Sequence, residues 1–504
     1  MRDIFREGMK LSESLARLPW RAAREVIGGK SETLDRAADL GERLGTLPFR
    51  AAARILEVDE LESGGEAPVA APPAPQADDR PATQRAGGPA RETEAKPAAR
   101  HLPRVVVLGA GYAGLTCFLE LQESLGRDHE LLLVNGDEYH WFTTELHTYV
   151  AGEAEDTVRI KLSRVVARPR RLLVGRVALI HPEARAVELA GGQRISYDML
   201  VFALGSDPEY YGLPGVAENS MIVGNWQSAT RLRERIAELL AQGGLGVKRR
   251  VVVAGGGLTG VEVAAELAEQ HPDELQLTIL EAGPEIMAGF APDLVETARH
   301  VLESRGIAIH TGNPIVRVEP RLIILKNGES MPFDLLVWSG GVRGSAILAK
   351  SGLETTHRGR GKVDAYLRAE HHDTIYLVGD SAAFIDPATG REVPPTGQAA
   401  VQMGRTAGRN IVRRLHGHEE EPFEPKLRGS FASLGRKEGV GQIGEEEYRG
   451  VPAMVIKNLI EAHHVWETGG GLLPLITRLL RAPQRYFQTR PQARQKRAKR
   501  PPAP

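Results

Sequence analysis

Short runs of β-branched residues punctuate the middle of the chain, and each of the two clearest, Arg104-Val-Val-Val-Leu108 and Arg250-Val-Val-Val-Ala254, runs into a glycine-rich turn and then a helix-like stretch. Such runs have the pattern of strands buried on both faces of a parallel sheet. The turns read Gly109-Ala110-Gly111-Tyr112-Ala113-Gly114 and Gly255-Gly-Gly257-Leu258-Thr259-Gly260. Further strand-like runs follow at Leu131–Val134, Met199–Ala203, Leu277–Leu280, Leu335–Trp338 and Thr374–Val378. The order predicts an α/β chain with two Rossmann-like dinucleotide-binding domains, one inserted in the other, a C-terminal α/β region and a helical, partly disordered N-terminal extension.

In each turn the first glycine permits the tight bend, the second lets backbone approach a pyrophosphate, and the third lets the helix pack on its strand. The helix N-terminus then faces the phosphates. A lone turn of this type is a weak signal, but these two share a further feature. The strand after each ends 26 residues past the first glycine, at Asn135 and at Glu281, where a side chain meets the adenosine ribose. Glu281 can accept from both ribose hydroxyls and would repel a 2′-phosphate, which favours NADH over NADPH. Asn135 departs from the acidic norm, although an amide can still bond ribose.

The expected organisation is an amphipathic helical repeat over 1–61, a disordered linker over 62–100, a first nucleotide domain over 101–221 resuming at 344–425, a second over 222–343, and a C-terminal region over 426–504. In the repeat, Leu11, Leu15, Leu18-Pro-Trp-Arg-Ala-Ala23 and Val26 return 29 residues later as Leu40, Leu44, Leu47-Pro-Phe-Arg-Ala-Ala52 and Ile55. Each copy has one apolar face, suited to docking on the protein's own body, on an unknown partner or on a membrane surface. The Ala, Pro, Gly and charge of 62–99 cannot bury enough surface to offset ordering entropy.

Composition narrows the chemistry. With 504 residues and a formal net charge of −1, the chain has room for about three domains and no global attraction for nucleic acid. Cys117 is its one cysteine, which excludes an internal disulfide and a two-thiol relay, and it reads as a small packing residue. No apolar run reaches the roughly 20 residues that span a bilayer. The adjacent pairs His371-His372 and His463-His464 lack metal-ligand spacing, so no metal is expected.

These residues resemble the two-dinucleotide flavoproteins, and among them the type II NADH dehydrogenases, single-chain NADH:quinone oxidoreductases that pump no protons. The resemblance covers about 104–466 and rests on both glycine turns, Asn135-Gly-Asp-Glu-Tyr-His-Trp-Phe-Thr-Thr-Glu-Leu-His147, Phe202-Ala-Leu-Gly205, Gly260-Val-Glu262, Trp338-Ser-Gly-Gly-Val-Arg343, Val378-Gly-Asp380 and Pro394-Pro-Thr-Gly-Gln-Ala-Ala-Val-Gln402. It implies FAD held by Gly109, Ala110, Gly111, Ala113, Gly114, Asn135, Val177, Ala203, Gly205, Gly379, Asp380 and Gln398. It implies NADH held by Gly255, Gly257, Leu258, Thr259, Gly260, Glu281, Gly340 and Gly341. Glu262 would orient the reductant or handle protons where nicotinamide meets flavin. Lys437, in Ser433-Leu-Gly-Arg-Lys437, would approach the isoalloxazine ring. Gln398 and Gln402, four apart on one helical face, would line the quinone pocket, although Gly397 stands where the family usually has alanine.

The implied activity is hydride transfer from NADH to FAD and then electron transfer to a quinone, at the cytoplasmic face of the cell membrane. An interrupted apolar stretch from Leu459 to Leu480, followed by seven basic residues and no acid from Arg485 to Arg500, suits peripheral contact with an anionic membrane. A homodimer fits the same resemblance. Two other readings remain: a reductase or oxidase serving a soluble acceptor, and a redox-sensing interaction protein whose N-terminal repeat recruits a partner.

Overall fold

The computed structural model describes residues 102–468, apart from 127–128, 168–170, 243–246 and 428. The N-terminal repeat, the linker and the tail after 468 lie outside the described residues, as do the side chains of Leu459, His463 and Trp466.

The chain enters as β1 (Arg104–Leu108), turns into α1 (Tyr112–Ser124), and returns as β2 (Glu130–Asn135), β3 (Leu172–Val174) and β4 (Met199–Phe202). It then leaves this sheet through β5 (Met221–Ile222), α2 (Trp226–Ala241), β6 (Arg249–Ala254), α3 (Leu258–Gln270), β7 (Leu275–Glu281), α4 (Pro292–Ser304), β8 (Ala308–Thr311) and β9 (Leu335–Trp338). It comes back as β10 (Ile375–Leu377) and α5 (Gly397–Leu415), and ends in β11 (Gly429–Ser433), β12 (Gly439–Ile443), β13 (Glu446–Arg449) and α6 (Val451–Glu467).

Both central sheets are five-stranded, parallel and laid out alike, β10-β4-β1-β2-β3 and β5-β9-β6-β7-β8. The strand that feeds each glycine turn is central, so chain order reverses beside it and leaves a crevice at the carboxyl ends where ligands bind. Val105, Val106, Val107, Val251 and Val253 are fully buried, which is why these runs carry no polar alternation.

Helix packing on the first sheet depends on small residues. A Cβ on Gly404 of α5 would lie 2.1 Å from the Ala113 carbonyl oxygen of α1, and one on Gly408 3.2 Å from that of Cys117. Mid-helix glycine costs about 1 kcal/mol in propensity, and here it lets two backbones touch.

The segment between β2 and β3 leaves its own sheet. Leu146, Tyr149, Val150 and Val158 pack with Leu232, Ile236 and the α3 residues Val261 and Ala265 in the core of the second unit. Trp141 stacks on Trp226, centroids 4.0 Å apart and planes at 10°. The terminal antiparallel sheet β11-β12-β13 joins the same core through Ala432 and Val440, with Leu434 of the intervening turn, whereas Val465 of α6 belongs to the core of the first sheet. Thus α6 reaches both nucleotide units.

Candidate functional site

The two glycine turns are built to one plan. Gly109 and Gly255 have φ of +95° and +114°, and a Cβ on either would lie 2.4 Å from a carbonyl oxygen, of Ala203 and Ser339 respectively. A Cβ on Gly114 or Gly260 would lie 1.9 Å from the carbonyl oxygen of the first glycine. The middle glycines differ. Gly111 and Gly257 have ordinary extended backbone, φ −72° and −71°, and nothing stands within 4 Å of where a Cβ would be. Their side chains are absent for the sake of something outside the protein.

That something is anionic by the logic of the helix ends. Neither α1 nor α3 has a side-chain cap, whereas α2 is closed by a reciprocal Asn225/Ser228 cap and α5 by Thr396. An uncapped helix N-terminus that opens directly from a glycine-rich turn is suited to receive a phosphate. Both turns therefore fit a dinucleotide pyrophosphate.

The strand-end side chains brace these turns. Glu281 accepts from the Gly256 amide at 2.6 Å and the Gly283 amide at 2.7 Å, and a carboxylate has lone pairs left for ribose. Asn135 accepts from the Ala110 amide at 2.9 Å and spends both amide hydrogens on the carbonyls of Asp137 and Tyr139. Only acceptor capacity remains there. The Gly175 amide bonds the Asn135 carbonyl, and half-buried Val177 opens the outer antiparallel sheet two residues on.

A two-stranded ribbon links the crevices. Ser206–Pro208, directly after Ala203 and Gly205, pairs antiparallel with Val342–Gly344, directly after Gly340 and Gly341. Tyr211 closes over this ribbon, its hydroxyl donating to the Gly340 carbonyl at 2.8 Å. On the first side Asp380 accepts from the Ser206 hydroxyl at 3.1 Å, while Gly379, φ +67°, keeps the backbone against Ala113. Burial pushes the Asp380 carboxyl above its usual range, against the pull of Ser206 and Arg360. Arg360, only 5% exposed, donates to the carbonyls of Asp380, Ala382 and Val393 and pairs with Glu392. Sequence reasoning missed this strut, since a buried arginine leaves no local signature.

Between the units lies a charged cluster. Glu262, at the start of the second turn of α3 and 7% exposed, pairs with Lys457 of α6, accepts from the Ser433 amide at 3.0 Å and hydroxyl at 3.1 Å, and lies 3.7 Å from His147 Nδ1. Lys457 also has Glu145 and Glu461 at 4.0 Å. Burial disfavours both charges, yet Lys457 and His147 bring the Glu262 pKa below its ordinary value. Burial likewise opposes the Lys457 ammonium, but Glu262, Glu461 and Glu145 outweigh it and raise its pKa. The pair is ionised in the interior.

Lys437 is not the lysine of this centre. Its turn is held at the far end of α3, where the Arg436 amide donates to Glu269 and Arg305 pairs with Glu438. Glu269 is seven residues past Glu262, about 10 Å along the helix axis. The lysine paired with Glu262 is Lys457.

Gln398 and Gln402 share a face of α5 as expected, but the Gln402 amide is tied to the Lys426 backbone in both directions, at 2.8 and 3.1 Å. Beside Gln398, a Cβ on Gly397 would meet Thr144, whose hydroxyl is 2.8 Å from that of Tyr112. His464 of α6 packs on the Tyr112 ring at 4.5 Å and reaches His140, which bonds the Ala110 carbonyl of the first glycine turn. Among the described residues no three His, Cys, Asp or Glu side chains group to hold a metal, and no helix is long and apolar enough to cross a membrane. Cys117, on the buried face of α1, is fully buried, with its thiol pKa pushed up by that burial.

The family described as pyridine nucleotide-disulphide oxidoreductase matches residues 103–404. Type II NADH:quinone oxidoreductases of Staphylococcus epidermidis and Staphylococcus aureus are each 32% identical over 388 residues, 73% of this chain and 96% of theirs. Among solved structures, NDH2 from Plasmodium falciparum in complex with NADH superposes with a TM-score of 0.68 at 16% identity, covering 78% of this chain and 99% of that one. The sulfide:quinone oxidoreductase of Aquifex aeolicus gives 0.62 at 20% identity, covering 73% and 92%. At such identities the structures establish a shared fold. With the paired cradles and the extent of the sequence matches, the chain belongs to the type II NADH:quinone oxidoreductases of the pyridine nucleotide-disulphide oxidoreductase family.

Proposed function

We propose that the chain oxidises NADH at the α3 cradle and reduces a quinone, with FAD at the α1 cradle. The observation that carries this is the pair of uncapped helix N-termini, each behind a middle glycine that faces open space, with an ionised Glu262–Lys457 pair between the units. FAD, when bound, supplies two-electron carriage between the two substrates. Gly109, Ala110, Gly111, Ala113, Gly114, Asn135, Val177, Ala203, Gly205, Gly379, Asp380 and Gln398 would hold it. Gly255, Gly257, Leu258, Thr259, Gly260, Glu281, Gly340 and Gly341 would hold NADH.

The residues supply position and charge. The parallel sheets fix the two cradles, so that groups held in them would be positioned without a search. Lys457, paired with Glu262 and faced by Glu145 and Glu461, sets a fixed ammonium donor between the units. Glu262 keeps that ammonium ionised and orients it. Gln398 offers its amide to a quinone carbonyl, while Gln402 braces that wall through Lys426.

The quinone comes from a membrane, and we assign the basic 485–500 segment to peripheral attachment at its cytoplasmic face. A homodimer is the expected assembly, and the N-terminal repeat is assigned to an unidentified partner, which deletion of 1–100 tests by separating binding from turnover. The central experiment is a visible spectrum. Yellow protein bleached by NADH and recoloured by a quinone analogue, rather than by oxygen or ferricyanide alone, is the expected result. Colourless protein that takes up no flavin overturns the reading.

A further inference from the structure

Reduction of a quinone by NADH leaves one proton unaccounted for by the donor. NADH gives up a hydride, two electrons and one proton, whereas the quinol carries two new O–H bonds. The balance is NADH + H⁺ + quinone → NAD⁺ + quinol, and the second proton enters from solvent through the protein.

α6 carries a group placed to deliver it. His464 is half-buried, in reach of solvent, and packs on the ring of Tyr112 at 4.5 Å. Tyr112 bonds Thr144, which borders Gly397 at the start of the helix that bears Gln398. His464 therefore belongs to the acceptor side rather than to the NADH cradle. Titratable groups facing it among the described residues include His140 and Tyr112 from neighbouring elements, and on its own helix Glu461 and Lys457 lie one and two turns back.

The tautomers follow from hydrogen-bond chemistry. His140 Nδ1 lies 2.7 Å from the Ala110 carbonyl oxygen, which can only accept, so Nδ1 carries hydrogen. Neutral His140 thus presents a lone pair at Nε2, and His464 Nε2, 3.3 Å away, donates to it. With Nε2–H committed, the proton that His464 gains and loses is at Nδ1.

We propose that His464 is the acid of the acceptor half-reaction: the imidazolium gives its Nδ1 proton to the quinone oxygen as the two electrons arrive, becomes the neutral Nε2–H tautomer, and recovers the proton from solvent. His140 is a positioning residue that holds that tautomer and ties it to the flavin-side glycine turn. The proposal rests on the function given above.

The test compares the full-length flavin-loaded parent with His464→Gln, whose amide nitrogen still donates to His140 but does not titrate. Turnover is measured with a soluble quinone and with ferricyanide, which takes electrons and no proton. The expected result is a fall of about 100-fold with quinone, typical for loss of a positioned acid, with flavin content and ferricyanide turnover kept. Imidazole added to His464→Ala should restore quinone turnover. Nitrogen-15 NMR of the parent's histidines, independent of turnover, should show Nδ1–H at His140 and a titrating Nδ1 at His464. Unchanged quinone turnover and pH profile overturn the proposal, as does loss of flavin or an equal fall with ferricyanide, which would assign His464 a structural role. A colourless parent would instead sink the underlying reading.

Discussion

Replacing Lys457 by Met removes an ammonium that faces three carboxylates and leaves Glu262 buried with Ser433 and His147 as its partners among the described residues. Glu262 is 9% and Lys457 12% exposed at the side chain, so solvent does little to compensate. Removing one partner of such a pair costs about 3–5 kcal/mol. The pH dependence gives the sharper signature. In the parent, Glu262 lies below its ordinary pKa, so its contribution is present above the unfolded glutamate value and is lost as pH falls through the folded one. Lys457 lies above its ordinary value, so its contribution is present below the unfolded lysine value and is lost as pH rises through the folded one. Both hold in full from about pH 5 to about pH 10. In Lys457→Met only burial dominates at Glu262, the folded carboxyl binds its proton more tightly than the unfolded one, and the deficit shrinks as pH falls. Urea unfolding followed by circular dichroism across that range measures this, and Glu262→Gln/Lys457→Met should recover most of the loss. A single variant within about 0.5 kcal/mol of the parent, the scatter of an ordinary surface change, or a double variant no better than the single, refutes the argument.

Three other outcomes follow from the geometry. Gly257→Ala should fold and keep flavin, because its Cβ enters open space, yet raise the NADH KM at least tenfold; Gly260→Ala, whose Cβ would lie 1.9 Å from a backbone oxygen, should fail to fold, and expression with circular dichroism separates the two. Glu281→Ala frees the Gly256 and Gly283 amides and removes the charge that repels a 2′-phosphate, so the ratio of NADPH to NADH turnover should rise. Gly404→Val sets a branched side chain 2.1 Å from the Ala113 carbonyl, forcing α5 off α1, and should yield protein without bound flavin, read from its visible absorbance.

The fold was legible because its signals are local. A buried parallel strand must be apolar along its whole length, a dinucleotide turn needs glycines at set spacing, and the acid that closes it falls at the end of the next strand. These constraints act within about thirty residues, so Gly109–Gly114, Gly255–Gly260, Asn135 and Glu281 could be located from order alone. Glu262 was named by the family resemblance rather than by spacing, on the helix that the second turn creates.

Its partner could not be. Lys457 lies 195 residues from Glu262, and nothing around it distinguishes it from Lys437, which occupies a more suggestive glycine turn. The choice was made by packing: α6 crosses from the core of the second unit to that of the first, bringing Lys457 to Glu262 and His464 to Tyr112. Arg360 and the tie between Gln402 and Lys426 were hidden for the same reason. Backbone turn chemistry is written in neighbouring residues and survives reading one chain, whereas a buried charge is placed by the elements that desolvate it, and only their assembly says which side chains meet.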